Sequence, residues 1–213
     1  MTEEQSLRFI LLMKAENVDK ARESYDFIMG GKAKTAPCGE CELEDGVYLV
    51  YKDGRRELFT GENSKDGIDR VGLKVGDKTV GIRLRDFADQ RLPYNSDHDE
   101  DDYCYQRQEL HALDDFDGKD NTRHLKRHGN FAFKLEDDEW IPSLGELALI
   151  YKHKDSLNKA LAYIGADEFA DDDWYWSSTE FGANLAWNVN FSSGSVSLSN
   201  RTSTGRVRPV AAF

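Results

Sequence analysis

Two pairs of side chains have the types and the spacing that bind zinc in proteins. Cys38 and Cys41 have the C-x-x-C spacing of a zinc knuckle, and His124 and His128 stand four residues apart, on one face if the segment is helical. A structural zinc site needs four ligands, and no second cysteine pair follows the first. The histidines have no glutamate at the H-E-x-x-H position, and neighbouring Arg and Lys disfavour a cation. We therefore predict no metal here, and an exposed polar helix around the histidines.

Two acidic stretches have carboxylates at spacings that calcium sites use. Residues 97–103 (DHDEDDY) alternate aspartates as a calcium loop does, but Asp102 stands where glycine is required and Gln108 where a bidentate glutamate is required. Residues 115–121 (DFDGKDN) also have the composition of a cation site or of a turn closed by Asx hydrogen bonds. We predict a solvated acidic loop for the first stretch and an Asx turn for the second, with no metal and no cofactor.

The overall charge limits the partners of the protein. The 213 residues have a formal net charge of -12 and a pI near 4.9, so nucleic acid and anionic membrane surfaces repel the chain at long range. Hydrophobic residues make up 39% of the chain and aromatic residues 11%, which is enough for a substantial core. The expected partner is a protein or a glycan.

Neither a membrane span nor a secretion signal is visible in the sequence. No run of about 18 apolar residues occurs, and the first residues (MTEEQSL) are acidic where a signal peptide is basic. The three cysteines form an odd number, which argues against a disulfide framework and suits a reducing compartment. We predict no signal peptide and no membrane insertion.

The hydrophobic pattern divides the chain in two. Residues 1–45 read as a helical N-terminal extension, and residues 46–213 as one α+β ligand-binding domain. Two hairpins are predicted at GVYLVYKDGRRELF, with an Asp53-Gly54 turn, and at GLKVGDKTVGIRL. Residues 86–139 are rich in Asp, His and Arg, and we expect long loops there, ordered by polar contacts.

Two short helices are predicted before the last β segment. Ser143 and Glu146 have the spacing of a capping box, which starts the first helix, and its buried stripe consists of Leu144, Leu147, Ala148 and Tyr151. The second helix is predicted to begin at Asp155 and to stop at Gly165. Its buried stripe consists of Leu157, Ala160, Leu161 and Ile164.

The segment after residue 186 alternates like a hairpin with one buried face. Trp187, Val189 and Phe191 alternate with asparagines, and beyond a Ser193-Gly194 turn Val and Leu alternate with serines. We predict that the aromatic and aliphatic side chains are buried and that Asn and Ser form one exposed face. A plain solvated hairpin is the simplest interpretation of this pattern alone.

The motifs WIPSLGEL, YWSSTEF, AWNVNF and RVRPVAAF, in this order, resemble the C-terminal domain of variable proteins of diversity-generating retroelements. The stretch ALDDFDGKDNT is similar to gut-bacterial and phage members of that group, so the resemblance covers about residues 110–213. It implies a C-type-lectin-like fold with short antiparallel strands, two helices and long loops. It also implies a ligand-binding role in a phage virion, or in the bacterial cytoplasm before assembly or export.

The resemblance implies a variable region at about residues 181–207. Such retroelements randomise adenines, mostly in asparagine codons, which never yields Lys, Glu, Gln, Met or Trp. Trp187 is the one residue of this region outside the reachable set, and it is expected on the buried face. The positions expected to vary and to form one exposed ligand-binding face are Phe181, Ala183, Asn184, Leu185, Asn188, Asn190, Ser195, Ser197, Ser199, Asn200, Thr202, Thr204 and Gly205.

The sequence therefore favours a hypervariable protein that binds a protein or glycan ligand on a cell or phage surface without turnover. Phe181 and Leu185 are the expected apolar anchors of its face. Residues 174–176 (WYW) suggest a sugar-stacking platform, but we expect them to pack in the core below the face. The main alternative is a lectin or adhesin domain with a fixed binding site. A formylglycine-generating oxidase of similar fold needs cysteines in its C-terminal part, and none follows Cys104.

Overall fold

The computed structural model describes residues 43–94 and 105–213. This part of the chain is α+β, as predicted, with eleven strands arranged in two sheets. It has four helices, where the resemblance implied two. The helical extension was predicted over residues 1–45, and its residues 1–42 lie outside the described residues. Within the described ranges, no helix combines the length and the apolar character that crossing a membrane requires.

The elements alternate along the chain between strands and short helices. The strands are β1 (Gly46–Tyr51), β2 (Arg56–Leu58), β3 (Ile68–Val75), β4 (Lys78–Arg83), β5 (Phe87–Gln90), β6 (Glu139–Trp140), β7 (Trp174–Gly182), β8 (Leu185–Asn190), β9 (Val196–Asn200), β10 (Gly205–Val207) and β11 (Val210–Ala211). The helices are α1 (Glu109–Leu113), α2 (Gly118–His128), α3 (Leu144–Lys152) and α4 (Lys154–Ile164).

The two sheets differ in the number and the direction of their strands. The first has the strand order β2-β1-β3-β4-β11-β6 and is antiparallel throughout. The second has the order β5-β10-β7-β8-β9, in which β10 pairs with β7 in parallel and the other pairs are antiparallel. The three predicted hairpins are confirmed as β1-β2, β3-β4 and β8-β9.

The larger core lies among the two sheets and the helices α3 and α4. The first sheet contributes side chains such as Leu49 and Ile82, the second contributes Val189 and Phe191, and all four are almost inaccessible to solvent. A smaller core covers the other face of the second sheet. Its buried members are Leu92, Leu125, Ile141, Trp176, Ala186 and Val207. The second sheet is therefore covered on both faces.

Helix α3 begins with the predicted capping box. The Ser143 hydroxyl accepts a hydrogen bond from the Glu146 N–H, and the Glu146 carboxylate accepts one from the Ser143 N–H at 2.8 Å. Leu144 and Leu147 are fully buried as predicted, whereas Ala148 and Tyr151 are half-buried. These two side chains face the opening between α1, α3 and the β8-β9 turn.

Helix α4 follows α3 after a single residue. It begins at Lys154, one residue before the predicted start, and ends at Gly165 as predicted. Its predicted stripe residues Leu157, Ala160 and Leu161 are fully buried, and Ile164 is half-buried. The helix packs against β1 and β3 of the first sheet.

Residues 86–139 contain more regular structure than the sequence indicated. The strands β5 and β6 and the helix α1 occupy parts of a region where we expected loops, and α2 contains the helix predicted around His124 and His128. Helix α2 has a polar sequence with few apolar residues, yet Leu125 and Thr122 are buried against the second sheet. Its helical form depends on this tertiary contact more than on its local pattern.

Two of the four links that carry the chain from one sheet to the other meet at Arg208. The β4-β5 link holds Asp86, and the β10-β11 link holds Arg208, whose guanidinium is fully buried and paired with the Asp86 carboxylate. The same guanidinium donates to the carbonyl oxygens of Arg83 at 3.0 Å and Asp167 at 2.9 Å. Burial and the Asp86 charge raise the pKa of the Tyr175 hydroxyl, which therefore stays protonated and donates to Asp86.

The capping carboxylate gives α3 a measurable dependence on pH. Burial raises the pKa of Glu146 to about 7, although the hydrogen bonds from Ser143 and the Trp140 indole favour its charged form. The unfolded chain, with a glutamate pKa of about 4.3, holds this proton less tightly. The free energy of unfolding therefore falls as the pH rises from about 4.5 to 7, by about 1–3 kcal/mol from this group.

Urea unfolding of the wild type and of Glu146→Gln at pH 5 and pH 8 measures this effect. Glutamine keeps an acceptor for the Ser143 N–H and does not titrate, while the remaining groups are common to both proteins. We expect the wild type to lose about 1–3 kcal/mol more than the variant between the two pH values. Parallel pH profiles would contradict a raised pKa of Glu146.

Candidate ligand-binding face

The region predicted to vary spans β7 to β10, with β8 at its centre. Paired residues of neighbouring strands point to the same side, so Trp176, Asn188 and Ser197 form one row across the sheet. We call this side of the sheet the Asn188 face. Trp187 and Val189 point to the opposite side, which we call the Trp187 face.

The Trp187 face holds the predicted framework, and its burial is confirmed. Trp187, Val189 and Phe191 are 6%, 1% and 0% exposed. The Trp187 indole N–H donates to the carbonyl oxygen of Gln106 at 2.8 Å, which satisfies its one polar group. Phe191 stacks on Phe169 with ring centroids 5.0 Å apart. These contacts fix β8 to the larger core.

The Asn188 face is more buried than the pattern predicted. Asn188 was expected to be exposed, but its side chain lies beside the buried Trp176 and is 3% exposed. Its amide N–H donates to the Ser199 hydroxyl at 2.7 Å. The expectation is wrong because the smaller core, which includes Leu125 of α2, covers this side of the sheet. Alternation alone does not show a second covering layer.

Two other asparagines of the predicted face shape turns. The Asn190 carboxamide oxygen accepts hydrogen bonds from the backbone N–H groups of Ser192 and Ser193, at 2.9 and 3.0 Å. The Asn200 oxygen accepts from both the N–H and the hydroxyl of Thr202. In such Asx turns, the hydrogen bonds from the asparagine side chain hold the backbone after the strand in a turn conformation. Asn190 is half-buried, contrary to the expected exposure, whereas Asn200 is exposed.

Gly205 is buried, so the prediction that it forms part of an exposed face is wrong. A Cβ atom at this position would lie 2.9 Å from the indole nitrogen of Trp176 and 3.1 Å from the carbonyl oxygen of Trp174. The indole has little freedom to move, because its N–H donates to the Gln90 carbonyl oxygen at 3.0 Å. The close pairing of β10 with β7 therefore requires a glycine here.

The two expected apolar anchors lie on the Trp187 face. The Phe181 ring packs edge to face against Trp187, with centroids 5.8 Å apart, and Leu185 lies two residues before Trp187 on the same strand. Both are half-buried. The expectation that all thirteen positions form one exposed face is therefore wrong, because these two point away from Asn188, Ser197 and Ser199.

The remaining positions are accessible and lie at the rim of the sheet. They occupy the β7-β8 turn, the edge strand β9 with the turn before it, and the loop between β9 and β10. The exposed residues are Asn184, Ser195, Asn200, Thr202 and Thr204, as predicted. Ala183, Ser197 and Ser199 are half-buried, contrary to the expected exposure. We call these eight residues the rim set.

Arg201 anchors this rim and was not singled out from the sequence. It lies between two exposed residues, yet it is fully buried and its guanidinium pairs with the buried Glu180 carboxylate. It also donates to the Gly182 carbonyl oxygen at 2.9 Å and to that of Pro93 at 3.3 Å. The available signal in the sequence was an arginine in a stretch with few other charges. If such an arginine is buried, it needs a carboxylate partner from elsewhere in the chain.

The predicted Asx turn at residues 115–121 is confirmed. Asp115 accepts from the Asp117 N–H at 2.9 Å, from the Asn121 amide at 2.7 Å and from the Thr179 hydroxyl at 2.6 Å. The carboxylate thereby ties this turn to β7. The pair Cys38/Cys41 and the acidic loop 97–103 lie outside the described residues.

The histidine pair lies on α2 but differs from the expected exposed helix. The His128 side chain is 6% exposed, and its Nε2 atom lies 3.7 Å from the Glu180 carboxylate. The helix packs against β7, with Leu125 in the smaller core. Residues on the side of the helix that faces β7 are therefore shielded from solvent. Among residues 43–94 and 105–213, no three or more His, Cys, Asp or Glu side chains are grouped so as to hold a metal ion.

The aromatic run at the start of β7 is mainly structural. Tyr175 and Trp176 are 0% and 1% exposed, as predicted, and Trp174 is half-buried. Tyr175 belongs to the larger core and Trp176 to the smaller one. The run therefore joins the two cores and does not offer a flat aromatic surface to a sugar.

Replacing Arg201 tests whether the rim depends on its buried anchor. We expect Arg201→Met to lower the free energy of unfolding by about 3–5 kcal/mol, because it leaves Glu180 buried without its guanidinium partner. The neighbouring Thr202→Ala is the control and should change it by about 0.5 kcal/mol or less, apart from any loss from its turn. Chemical unfolding measures both. Equal, small effects would show that the ion pair is dispensable.

Comparison with known proteins supports the fold without naming a family. No model of a protein family matches the chain, and no curated protein matches its sequence. The structure is similar to the crystal structure of a fimbrial protein from Bacteroides ovatus, with a TM-score of 0.65 and 17% sequence identity. The similarity covers 80% of this chain and 49% of the fimbrial protein, so the chain spans about half the length of that protein.

Proposed function

We propose that this protein binds a ligand without turning it over, through a C-type-lectin-like domain whose rim is diversified by a retroelement. The ligand is a protein or glycan on a cell or phage surface. The proposal rests on the sequence resemblance and on one structural observation. The rim set lies at the edge of a sheet whose framework residues are buried.

That observation matters because it separates folding from recognition. The backbone of the rim is held from behind by the buried Trp187 and Arg201. Side chains of the rim set lie on turns and an edge strand, and their replacement leaves the core contacts in place. Ser199 is the exception, because its hydroxyl accepts a hydrogen bond from the buried Asn188 amide. Diversification of this set therefore changes the chemistry of the surface at little cost in stability.

The burial data narrow the positions suited to variation. Asn188 and Gly205 belong with the framework, because a larger side chain at either position meets Trp176 or its surroundings. Phe181 and Leu185 are partly accessible on the Trp187 face and can add apolar contact there. The proposed binding surface is the rim set, extended by these two residues around the β7-β8 turn.

An adhesin domain with a fixed binding site is the second candidate. It is favoured by the likeness in fold to a fimbrial protein. The two candidates differ in the neighbouring DNA. Retroelement diversification requires a near-identical repeat that differs only at adenines, beside a reverse transcriptase gene, and the rim codons must lie within it. Absence of such a repeat favours the fixed adhesin.

Exchange of exposed rim residues tests the binding surface directly. The triple variant Asn184→Tyr, Thr202→Tyr and Thr204→Tyr should change the binding profile on a glycan array and on a panel of bacterial cells. Its melting temperature should stay close to that of the wild type, because exposed substitutions shift stability by about 0.5 kcal/mol each.

Trp187→Ala is the control for loss of folding. Removing this buried aromatic should cost about 3–5 kcal/mol and lower the melting temperature before it changes specificity. A triple variant that melts like Trp187→Ala would show that the rim is structural. A triple variant that melts normally and keeps the wild-type binding profile would show that the ligand binds elsewhere.

A further inference from the structure

A cleft of about 670 Å³ opens beside one end of the rim. Its walls are α1, α3 and the turn between β8 and β9, and Ser195 of the rim set forms part of its lining. Pockets that bind small molecules or single side chains of a partner usually have volumes of about 300–1,000 Å³. The size and position of this cleft fit a subsite of the proposed binding surface.

The interior of the cleft is largely apolar. Phe116 and Ala148 line one side of it, and Val189 and Val196 line the other. All but Val189 are half-buried, so apolar surface remains in contact with water. Leu110 on α1, the helix that forms one wall, is 76% exposed and adds apolar surface outside the opening. Burial of such surface by a ligand is favourable.

The walls of the cleft are held by the fold. The N–H of Gly145 on α3 donates to the Asp115 carbonyl oxygen at 3.0 Å, which fixes the turn after α1 against α3. On the other side, the β8-β9 turn packs on the Tyr151 ring at Gly194, where a Cβ atom would lie 2.5 Å from the ring. The cleft is therefore formed before a ligand arrives, which lowers the entropic cost of binding.

The α1 side of the cleft opening favours a cation. Glu109 and Asp114 lie there and are exposed, whereas the exposed Lys152 lies at the α3 wall. Two further ammonium groups lie beside rings of the lining, Lys78 at Phe116 and Lys154 at Tyr151, and each pairs with an aspartate of its own. The net charge of -12 on the whole chain adds a long-range attraction for basic ligands.

We infer that the cleft binds a bulky apolar side chain of a protein ligand that is followed by a basic residue. The apolar side chain fills the space between Ala148 and Val196, and the basic group contacts Glu109 and Asp114. A few apolar anchors in pockets usually carry most of the affinity of a protein interface, and charges at the rim add specificity. The inference rests on the proposed ligand-binding function and identifies a fixed subsite next to the variable rim.

Three dipeptide probes test the cleft without knowledge of the full ligand. Acetyl-Phe-Arg-amide, acetyl-Phe-Gln-amide and acetyl-Phe-Glu-amide are titrated into the full chain, and backbone amide shifts are followed by NMR. We expect shifts at Gly145, Ala148, Gly194 and Val196. Affinity should fall in the order Arg, Gln, Glu, with about two- to fivefold between the first two, as for exposed charge pairs. No shifts in the cleft, or equal affinities for the three probes, would overturn the inference.

Two variants separate the apolar and the charged contributions. Ala148→Trp should fill the cleft and abolish binding of all three probes, while Ala162→Trp at an exposed position of α4 should leave binding unchanged. The double variant Glu109→Gln and Asp114→Asn should bind the Arg probe no better than the Gln probe. If it keeps the preference for Arg, the carboxylates do not contact the basic group.

The dipeptide titrations and the experiment with the rim triple variant test separate claims. The rim triple variant lacks substitutions in the cleft lining and should bind the dipeptides as the wild type does. If the triple variant changes recognition of glycans or cells but no dipeptide binds, the cleft inference fails and the proposed function stands. If dipeptides bind but the rim variant recognises the same targets as the wild type, the proposed diversified surface fails and the cleft subsite stands.

Discussion

The ion pair between Arg208 and Asp86 is the constraint on which the arrangement of the two sheets depends. Each residue lies on a link that crosses from one sheet to the other, and both side chains are withdrawn from solvent. A guanidinium is costly to bury unless its N–H groups are paired. Here the cost is offset by Asp86, by the carbonyl oxygen of Arg83 at the end of β4, and by the carbonyl oxygens of residues 167 and 168, which follow α4. The geometry of these acceptors fixes the relative position of both crossings.

A sheet fixed in this way has little freedom to accept changes within its strands. The second sheet lies between two cores, so β7 and β8 have buried side chains on both sides. Arg201 resembles Arg208, since it too directly follows a strand and its buried guanidinium pairs with a buried carboxylate. Recognition is therefore left to the turns, to the edge strand and to the cleft between α1 and α3. This division between scaffold and surface follows from burial, whatever the ligand is.

Elements that depend on neighbours in sequence were predictable, and those that depend on tertiary partners were not. The capping box of Ser143 and Glu146 and the hairpin turn at Gly194 follow from residues within a few positions of each other. Asn188 lies beside Trp176 on the side of the sheet that the smaller core covers, and that core includes Leu125, about sixty residues earlier in the chain. The helix around His124 and His128 was predicted, but the burial of its inner side was not, because that burial depends on contact with β7. Residues expected at the site were thus located correctly on the strands but often assigned to the wrong side.

The position of β9 at the end of its sheet has a consequence for how copies of the protein behave in solution. Its sequence, VSLSN, contains none of the lysines or prolines by which outer strands usually resist pairing with another molecule. In the described part of the chain, nothing in the strand itself opposes such pairing. Colloidal stability then relies on mutual repulsion between molecules of net charge -12, which acts over only about 8 Å at physiological ionic strength. High salt, or a pH near the isoelectric point, removes that protection and favours aggregation through this strand.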